Sequence, residues 1–119
     1  MGEHNELGKI GEQLAVDFLV KNGYKICCKN YRYLKAEIDI IARKGELLTI
    51  VEVKSRSSTF LMPIADAVTP KKIKLLVMAA NEYVISRELD VEVRFDIITV
   101  LKTKGKFELE HIESAFYHF

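Results

Sequence analysis

The sequence predicts one α/β domain in which two helices flank a mixed β-sheet. Two stretches show the apolar spacing of amphipathic helices, and five shorter ones are rich in β-branched and aromatic residues. The predicted order of elements is αβββαββ. The chain has 119 residues, of which 49% are hydrophobic, and it contains no Pro/Gly-rich linker, so one domain over residues 1–119 is expected.

The first helix is predicted over residues 7–22. Its apolar face comprises Leu7, Ile10, Leu14, Ala15, Phe18 and Leu19. Gly11 lies in this face, where the missing side chain allows close packing against a partner. Gly23 follows the helix, and glycine at this position ends many helices in the left-handed conformation.

Three strands are predicted next, over residues 24–31, 37–42 and 47–54. The segment Arg43-Lys44-Gly45-Glu46 separates the last two strands, and its glycine favours a tight hairpin turn. A less regular segment is expected over residues 55–65. Thr69 and Pro70 then predict the start of the second helix, followed by strands over residues 91–101 and 107–112.

Charged residues interrupt two of the apolar strands. If Ala42 pairs with Leu47, then Asp39 lies opposite Ile50 and diagonal to Glu52. The opposite face of the hairpin is then uniformly apolar, with Ile38, Ile40, Val51 and Val53. This pattern predicts that Asp39, Glu52 and Lys54 share one face of the sheet.

Two carboxylates on one face can bind a hard cation such as Mg²⁺ or Mn²⁺, and a nearby lysine can orient or deprotonate a water molecule. Glu12 borders the apolar face of the first helix, so we expect it to support the same site or to form a cap or ion pair near the helix start. The alternative for the strand residues is protection of an edge strand by charge.

Several segments, taken in order, carry a specific combination of residues: Gly8-Lys9-Ile10-Gly11-Glu12-Gln13-Leu14-Ala15, Gly23-Tyr24-Lys25-Ile26, Glu37-Ile38-Asp39-Ile40-Ile41-Ala42, Val51-Glu52-Val53-Lys54-Ser55-Arg56, Ala67-Val68-Thr69-Pro70-Lys71-Lys72 and Val93-Arg94-Phe95-Asp96. Together they resemble the YraN family of small bacterial proteins in the restriction-endonuclease-like superfamily. Two positions depart from the family pattern: Ala36 replaces a usual Gly, and Ile73 replaces a frequent Gln.

The resemblance implies an αβββαβ core around a mixed sheet, here with an extra C-terminal strand. It also implies a metal site of Asp39, Glu52 and Lys54, with Glu12 added from the first helix, in a layout similar to archaeal Holliday-junction resolvases. The implied activity is Mg²⁺-dependent (or Mn²⁺-dependent) hydrolysis of DNA, and the analogy extends to a homodimer. The alternatives are a nucleic-acid-binding module that does not cleave and a structural or interaction protein.

Basic residues are unevenly distributed although the net charge is only +1. Residues 25–56 contain eight Lys or Arg against four acidic residues, and three lysines begin the second helix. Arg56, Lys71 and Lys72 are therefore predicted to contact phosphates of a nucleic acid, DNA before RNA. Ordinary solvated surface charge is the alternative. The near-neutral total excludes a polycation that binds through bulk charge.

Other features argue against a secreted or membrane protein and against disulfide or histidine-based sites. The N-terminus has neither the basic nor the apolar region of a secretory signal, and no apolar run could span a membrane, so a cytoplasmic protein without membrane contact is expected. Cys27 and Cys28 are adjacent, which predicts two reduced thiols. His4, His111 and His118 are scattered, which disfavours a histidine-based metal site.

Overall fold

A computed structural model describes residues 3–57 and 68–116. Within them the chain forms two helices, α1 (Glu3–Lys21) and α2 (Pro70–Ser86), and five strands, β1 (Lys25–Tyr33), β2 (Ala36–Lys44), β3 (Leu47–Ser57), β4 (Glu92–Thr103) and β5 (Lys106–Ile112). The predicted order is confirmed. The segment expected to be irregular begins as the end of β3, and the rest of it lies outside the described residues, as does His118.

The five strands form one sheet in chain order. β3 and β4 are parallel, whereas the other neighbouring strands are antiparallel. A parallel pair requires a crossover connection, and α2 lies in the chain between these two strands. The fold is therefore the predicted mixed α/β architecture, with β5 as the extra C-terminal strand.

Each face of the sheet has its own apolar cluster. The cluster under α2 includes Leu76, Ala79, Ala80, Tyr83, Ile41, Leu48, Ile50, Phe95 and Ile97. The cluster under α1 includes Ala15, Leu19, Ile40, Ala42, Val51, Ile98 and Val100. Because β3 and β4 contribute to both clusters, they carry the continuous apolar runs expected of central strands.

The ends of the elements agree with the local sequence signals. Gly23 follows α1 with φ +92°, and Gly45 has φ +62° in the turn between β2 and β3. The Thr69 hydroxyl accepts a hydrogen bond from the Lys72 backbone N–H at 3.2 Å, and Pro70 is the first residue of α2. In the described part of the chain, neither helix is long and apolar enough to cross a membrane.

Gly11 brings α1 into close contact with β3. A Cβ atom placed on Gly11 would lie 1.9 Å from Ser55 Oγ and 3.1 Å from Ser55 Cβ, whereas a Cβ on Gly8 of the same helix would meet nothing within 4 Å. The buried face of α1 consequently centres on Gly11, Ala15 and Leu19, and Ile10 is 43% exposed.

These two glycines provide a matched stability test. Gly11→Ala is expected to reduce the free energy of unfolding by ~1–3 kcal/mol, because Ser55 must rotate its hydroxyl away from the new Cβ and its own Cβ then still makes a tight contact of 3.1 Å. Gly8→Ala is expected to increase it by up to ~1 kcal/mol, since alanine favours the helix and has space. Urea denaturation measures both values, and equal effects at the two positions would contradict the close contact.

Candidate active site

The site lies where β2 and β3 separate. The two strands pair from Lys44↔Leu47 to Ile40↔Val51, and the next residues beyond the last pair are Asp39 and Glu52. The predicted pairing of Ala42 with Leu47 is wrong by two residues, because only Gly45 and Glu46 form the turn. An even shift preserves the faces of the strands, and it makes Asp39 and Glu52 nearer neighbours than the predicted diagonal.

The apolar face of this hairpin is largely as predicted. Ile40, Val51 and Val53 pack in the cluster under α1. Ile38 was expected to join them, but it is buried in the cluster under α2. Since Ile38 lies beyond the last β2–β3 pair, the strict alternation of the paired region does not extend to it.

Asp39 is fixed at this point of separation by the backbone of β3. Its Oδ2 accepts a hydrogen bond from the Val53 N–H at 2.8 Å. The pairing of β2 with β3 has ended there, so the carboxylate satisfies a backbone donor that has no β2 carbonyl opposite it. The separation of the strands thereby both creates the site and orients one of its carboxylates.

Glu52 is the most deeply buried acidic group of the site, with a side chain 5% exposed. Its Oε1 accepts a hydrogen bond from Lys72 Nζ at 3.0 Å. Its Oε2 is buried, and no group of the described residues donates a hydrogen bond to it. Burial and then the neighbouring Asp39 carboxyl raise the pKa of Glu52 to about 8, although Lys72 opposes the shift.

Two lysines stand beside Glu52 with different properties. Burial, and next the charge of Lys72, lowers the pKa of Lys54. For Lys72, burial acts to lower the pKa, but the Glu52 carboxylate outweighs it and the pKa is raised. Lys54 is therefore the better proton acceptor of the two, and Lys72 is the more firmly charged.

Glu12 approaches the site from α1 and is half-buried. Burial raises its pKa first, followed by the negative charges of Asp39 and Glu37. Glu12 is thus within electrostatic range of Asp39. Among residues 3–57 and 68–116, however, no three His, Cys, Asp or Glu side chains converge closely enough to hold a metal ion. Direct ligation by Glu12 stays a prediction.

A cleft of about 300 Å³ opens onto the site. Its lining includes both central carboxylates together with the side chains of Lys35, Lys71 and Lys72. Arg56 is not among the lining residues, and its guanidinium donates to the Ser55 carbonyl at 2.8 Å. Three lysines therefore line the cleft, of which the sequence singled out Lys71 and Lys72 but not Lys35.

The residues present fit a hard divalent cation. Glu52 and Asp39 place two neighbouring carboxyl groups at the cleft, and carboxylate oxygens are the ligands that such a cation prefers. Ile73 contributes nothing to this donor set, because it packs against the apolar cluster under α2.

Glu52 predicts a pH dependence of the metal-free protein. Its folded-state pKa of about 8 exceeds the ordinary 4.5, so the stability that its proton contributes is complete below 4.5 and is lost as the pH rises through 8. The difference in free energy of unfolding between Glu52→Gln and wild type should therefore move in favour of the variant by at least ~1 kcal/mol from about pH 5 to about pH 9. Urea denaturation at both pH values measures this difference, with Glu46→Gln as the control. The same difference at both pH values for Glu52→Gln would contradict the prediction.

A second polar cluster, which the sequence did not indicate, lies on the α1 face of β4. Asp96 is completely buried and accepts two hydrogen bonds from Arg94 and one from the Ser114 N–H, and it also contacts His111 Nε2 at 2.8 Å. Arg94 also donates to the Tyr24 hydroxyl. Burial acts to raise the pKa of Asp96, but the hydrogen bonds of His111 and Arg94 lower it to about 2.

This second cluster ties β4 to β5 and to the start of β1. The signal available in the sequence was the Arg-x-Asp spacing, which places both side chains on one face of the strand. Residues far apart in the chain complete it, so the sequence alone did not indicate its burial.

The order of elements and the mixed five-stranded sheet are those of the restriction-endonuclease-like fold. The structure is similar to that of Hjc from Archaeoglobus fulgidus, a Holliday junction resolvase, with a TM-score of 0.50 and 17% sequence identity over 86% of this chain and 72% of that one. This likeness shows the fold. The chain belongs to the family described as "Uncharacterised protein family UPF0102", whose sequence profile matches residues 11–100.

Relatives in this family match all or nearly all of the chain. A UPF0102 protein of Flavobacterium psychrophilum is 59% identical over 119 residues, which cover 100% of both chains. A UPF0102 protein of Bacteroides fragilis is 52% identical over 118 residues, which cover 98% of this chain and 97% of the relative. The resemblance to the YraN family, which is UPF0102, is thereby confirmed.

Proposed function

We propose that this protein is a divalent-cation-dependent phosphodiesterase that cleaves DNA, with Mg²⁺ or Mn²⁺ as its cofactor. The observation that carries the proposal is the pair of acidic side chains where β2 and β3 separate, with Glu52 buried and the Asp39 carboxyl next to it. Two adjacent acidic groups in a buried position destabilise a fold when both are charged, so a purely structural role does not account for them. A bound cation would offset their charge.

Asp39 and Glu52 would hold the cation, and Glu12 would add negative potential or a further ligand. When bound, Mg²⁺ or Mn²⁺ supplies Lewis-acid stabilisation of the negative charge that develops on the phosphoryl group. Lys54 would orient the attacking water and accept its proton at Nζ, which the lowered pKa of this lysine favours. The half-buried position of Lys54 beside Glu52 supports this assignment.

The nucleic acid would lie along the cleft. Lys71 and Lys72 line the cleft near the start of α2, where the positive end of the helix dipole also favours phosphate. Arg56, which does not line the cleft, would contact a phosphate outside it. DNA, including branched DNA, is the substrate class supported by the similar fold, because the similar structure is that of a Holliday junction resolvase. A homodimer stays a prediction by the same analogy.

The test is a cleavage panel with the purified full chain. Single-stranded, duplex, flap and four-way-junction DNA are incubated with Mg²⁺, with Mn²⁺ or with EDTA, and a matched RNA set runs in parallel. The proposal predicts cleavage of at least one DNA structure with a divalent cation and none with EDTA. If every substrate stays intact with both cations, the assignment as a phosphodiesterase is wrong.

A second candidate function is a module that binds nucleic acid without cleaving it. The observation that favours it is the ion pair between Lys72 and Glu52, which already supplies one carboxylate oxygen with a positive partner. Salt-sensitive binding without cleavage in the same panel would support this function. An absence of both binding and cleavage would instead favour a structural or interaction protein.

A further inference from the structure

Lys72 belongs to two surfaces at once. Its Nζ lies 3.0 Å from Glu52 Oε1, and the same side chain lines the cleft in which a substrate phosphate would lie. The side chain is 37% exposed, in contrast to 5% for Glu52. The ammonium group can therefore leave the carboxylate for the cleft by rotation of its own side chain, without movement of β3 or α2.

The charges around Glu52 determine when the Lys72 ammonium group would move away from it. Lys54 and Lys72 are close enough for each to affect the other electrostatically, and the buried Glu52 carboxylate offsets the repulsion between them. A divalent cation on Asp39 and Glu52 would add a third positive group at this position. Lys72 is the group that can move away, because the N-terminal turn of α2 holds its backbone at the cleft.

We propose that Lys72 couples cation binding to substrate binding: its ammonium group pairs with Glu52 while no cation is bound, and it binds a substrate phosphate once a cation has taken Glu52. This inference rests on the proposed function. It goes beyond a simple phosphate contact, since it makes the contribution of Lys72 to substrate affinity conditional on the cation. Lys71 provides the comparison, because it lines the same cleft and no hydrogen bond or ion pair joins it to Glu52 in the described structure.

The experiment measures affinity for a labelled four-way DNA junction with and without Ca²⁺, a hard oxygen-binding cation. Wild type, Lys72→Met and Lys71→Met are compared, since methionine keeps an apolar stem and removes the charge. Lys72→Met should weaken binding about 5–10-fold with Ca²⁺ and less than about 2-fold without it. Lys71→Met should weaken binding by the same factor in both conditions.

The dependence on salt gives a second readout. With Ca²⁺, Lys72→Met should reduce the slope of log affinity against log salt by about 0.9, and without Ca²⁺ it should leave the slope unchanged. Equal losses for Lys72→Met in the two conditions, or no loss in either, would overturn the coupling while leaving the proposed function intact. If wild type binds the junction neither with nor without Ca²⁺, both the coupling and the proposed function are wrong.

A spectroscopic measurement follows the ammonium group itself. In protein labelled with ¹⁵N-lysine, addition of Ca²⁺ should shift the Nζ resonance of Lys72, because the group exchanges a carboxylate for solvent. The Nζ resonance of Lys71 should shift much less. A Lys72 resonance that stays unchanged at Ca²⁺ concentrations that saturate the protein would contradict the proposal.

Discussion

Asp39→Ala and Glu52→Ala are each expected to reduce cation-dependent DNA cleavage by ~10²–10³-fold or more. Each substitution removes one of the two carboxylates that the structure places side by side where β2 and β3 separate. With one carboxylate the cation would lose both affinity and position, so the effect should appear at saturating DNA. Initial rates on the best substrate of the cleavage panel measure it.

The control for this prediction is Glu46→Ala. Glu46 is a carboxylate of the same hairpin, but it is exposed in the turn at the far end, where it pairs with Arg43. Its removal should change the cleavage rate less than about 2-fold, which is typical of an exposed surface charge. Circular dichroism establishes that all variants fold. If Asp39→Ala and Glu52→Ala cleave as fast as wild type, the activity belongs to a contaminant.

The second large effect concerns stability. Asp96→Asn is expected to lower the free energy of unfolding by ~3–5 kcal/mol, since it leaves the Arg94 guanidinium beside a buried neutral group. The carboxylate that the substitution removes also accepts a hydrogen bond from the Ser114 N–H and contacts His111 Nε2. Urea denaturation at neutral pH measures the change.

Glu113→Gln is the matched control for Asp96. Glu113 also pairs with Arg94, at 3.5 Å, but its side chain is 60% exposed and solvent can replace the interaction. Its substitution should cost less than ~1 kcal/mol. A loss of similar size at both positions would show that the burial of Asp96 does not govern its contribution.

The sequence was sufficient for those parts of the fold that local chemistry controls. Thr69 with Pro70 predicted the start of α2, and Gly23 and Gly45 predicted turns that require a positive φ. Gly11 predicted a close helix contact, which the structure places at Ser55. In each case the residue type itself restricts the backbone or the available space, so no distant partner is needed to interpret it.

The register of the hairpin formed by β2 and β3 was not predictable from the local sequence. The apolar alternation predicted correctly which residues of the paired region share a face, because a shift by two residues preserves it. The number of residues in the turn decides the register, and the pattern does not specify that number. The structure consequently brings Asp39 nearer to Glu52 than the sequence predicted.

Contacts between distant residues were not predictable from the pattern. Lys72 was predicted as a phosphate contact, yet its pairing with Glu52 depends on how α2 packs against β3. The buried Asp96 needs Arg94, His111 and Ser114, which come from different elements and the turn after β5. His111 looked isolated in the sequence for this reason.

The most direct test of the central claim is anomalous diffraction from crystals of the full chain soaked in Mn²⁺. A manganese peak is predicted at ~2.0–2.5 Å from carboxylate oxygens of both Asp39 and Glu52, with Lys72 Nζ no longer paired to Glu52. In crystals of Glu52→Gln the peak should be weak or missing. A map of fully soaked wild-type crystals with no manganese at these two carboxylates would contradict the metal centre and the function built on it.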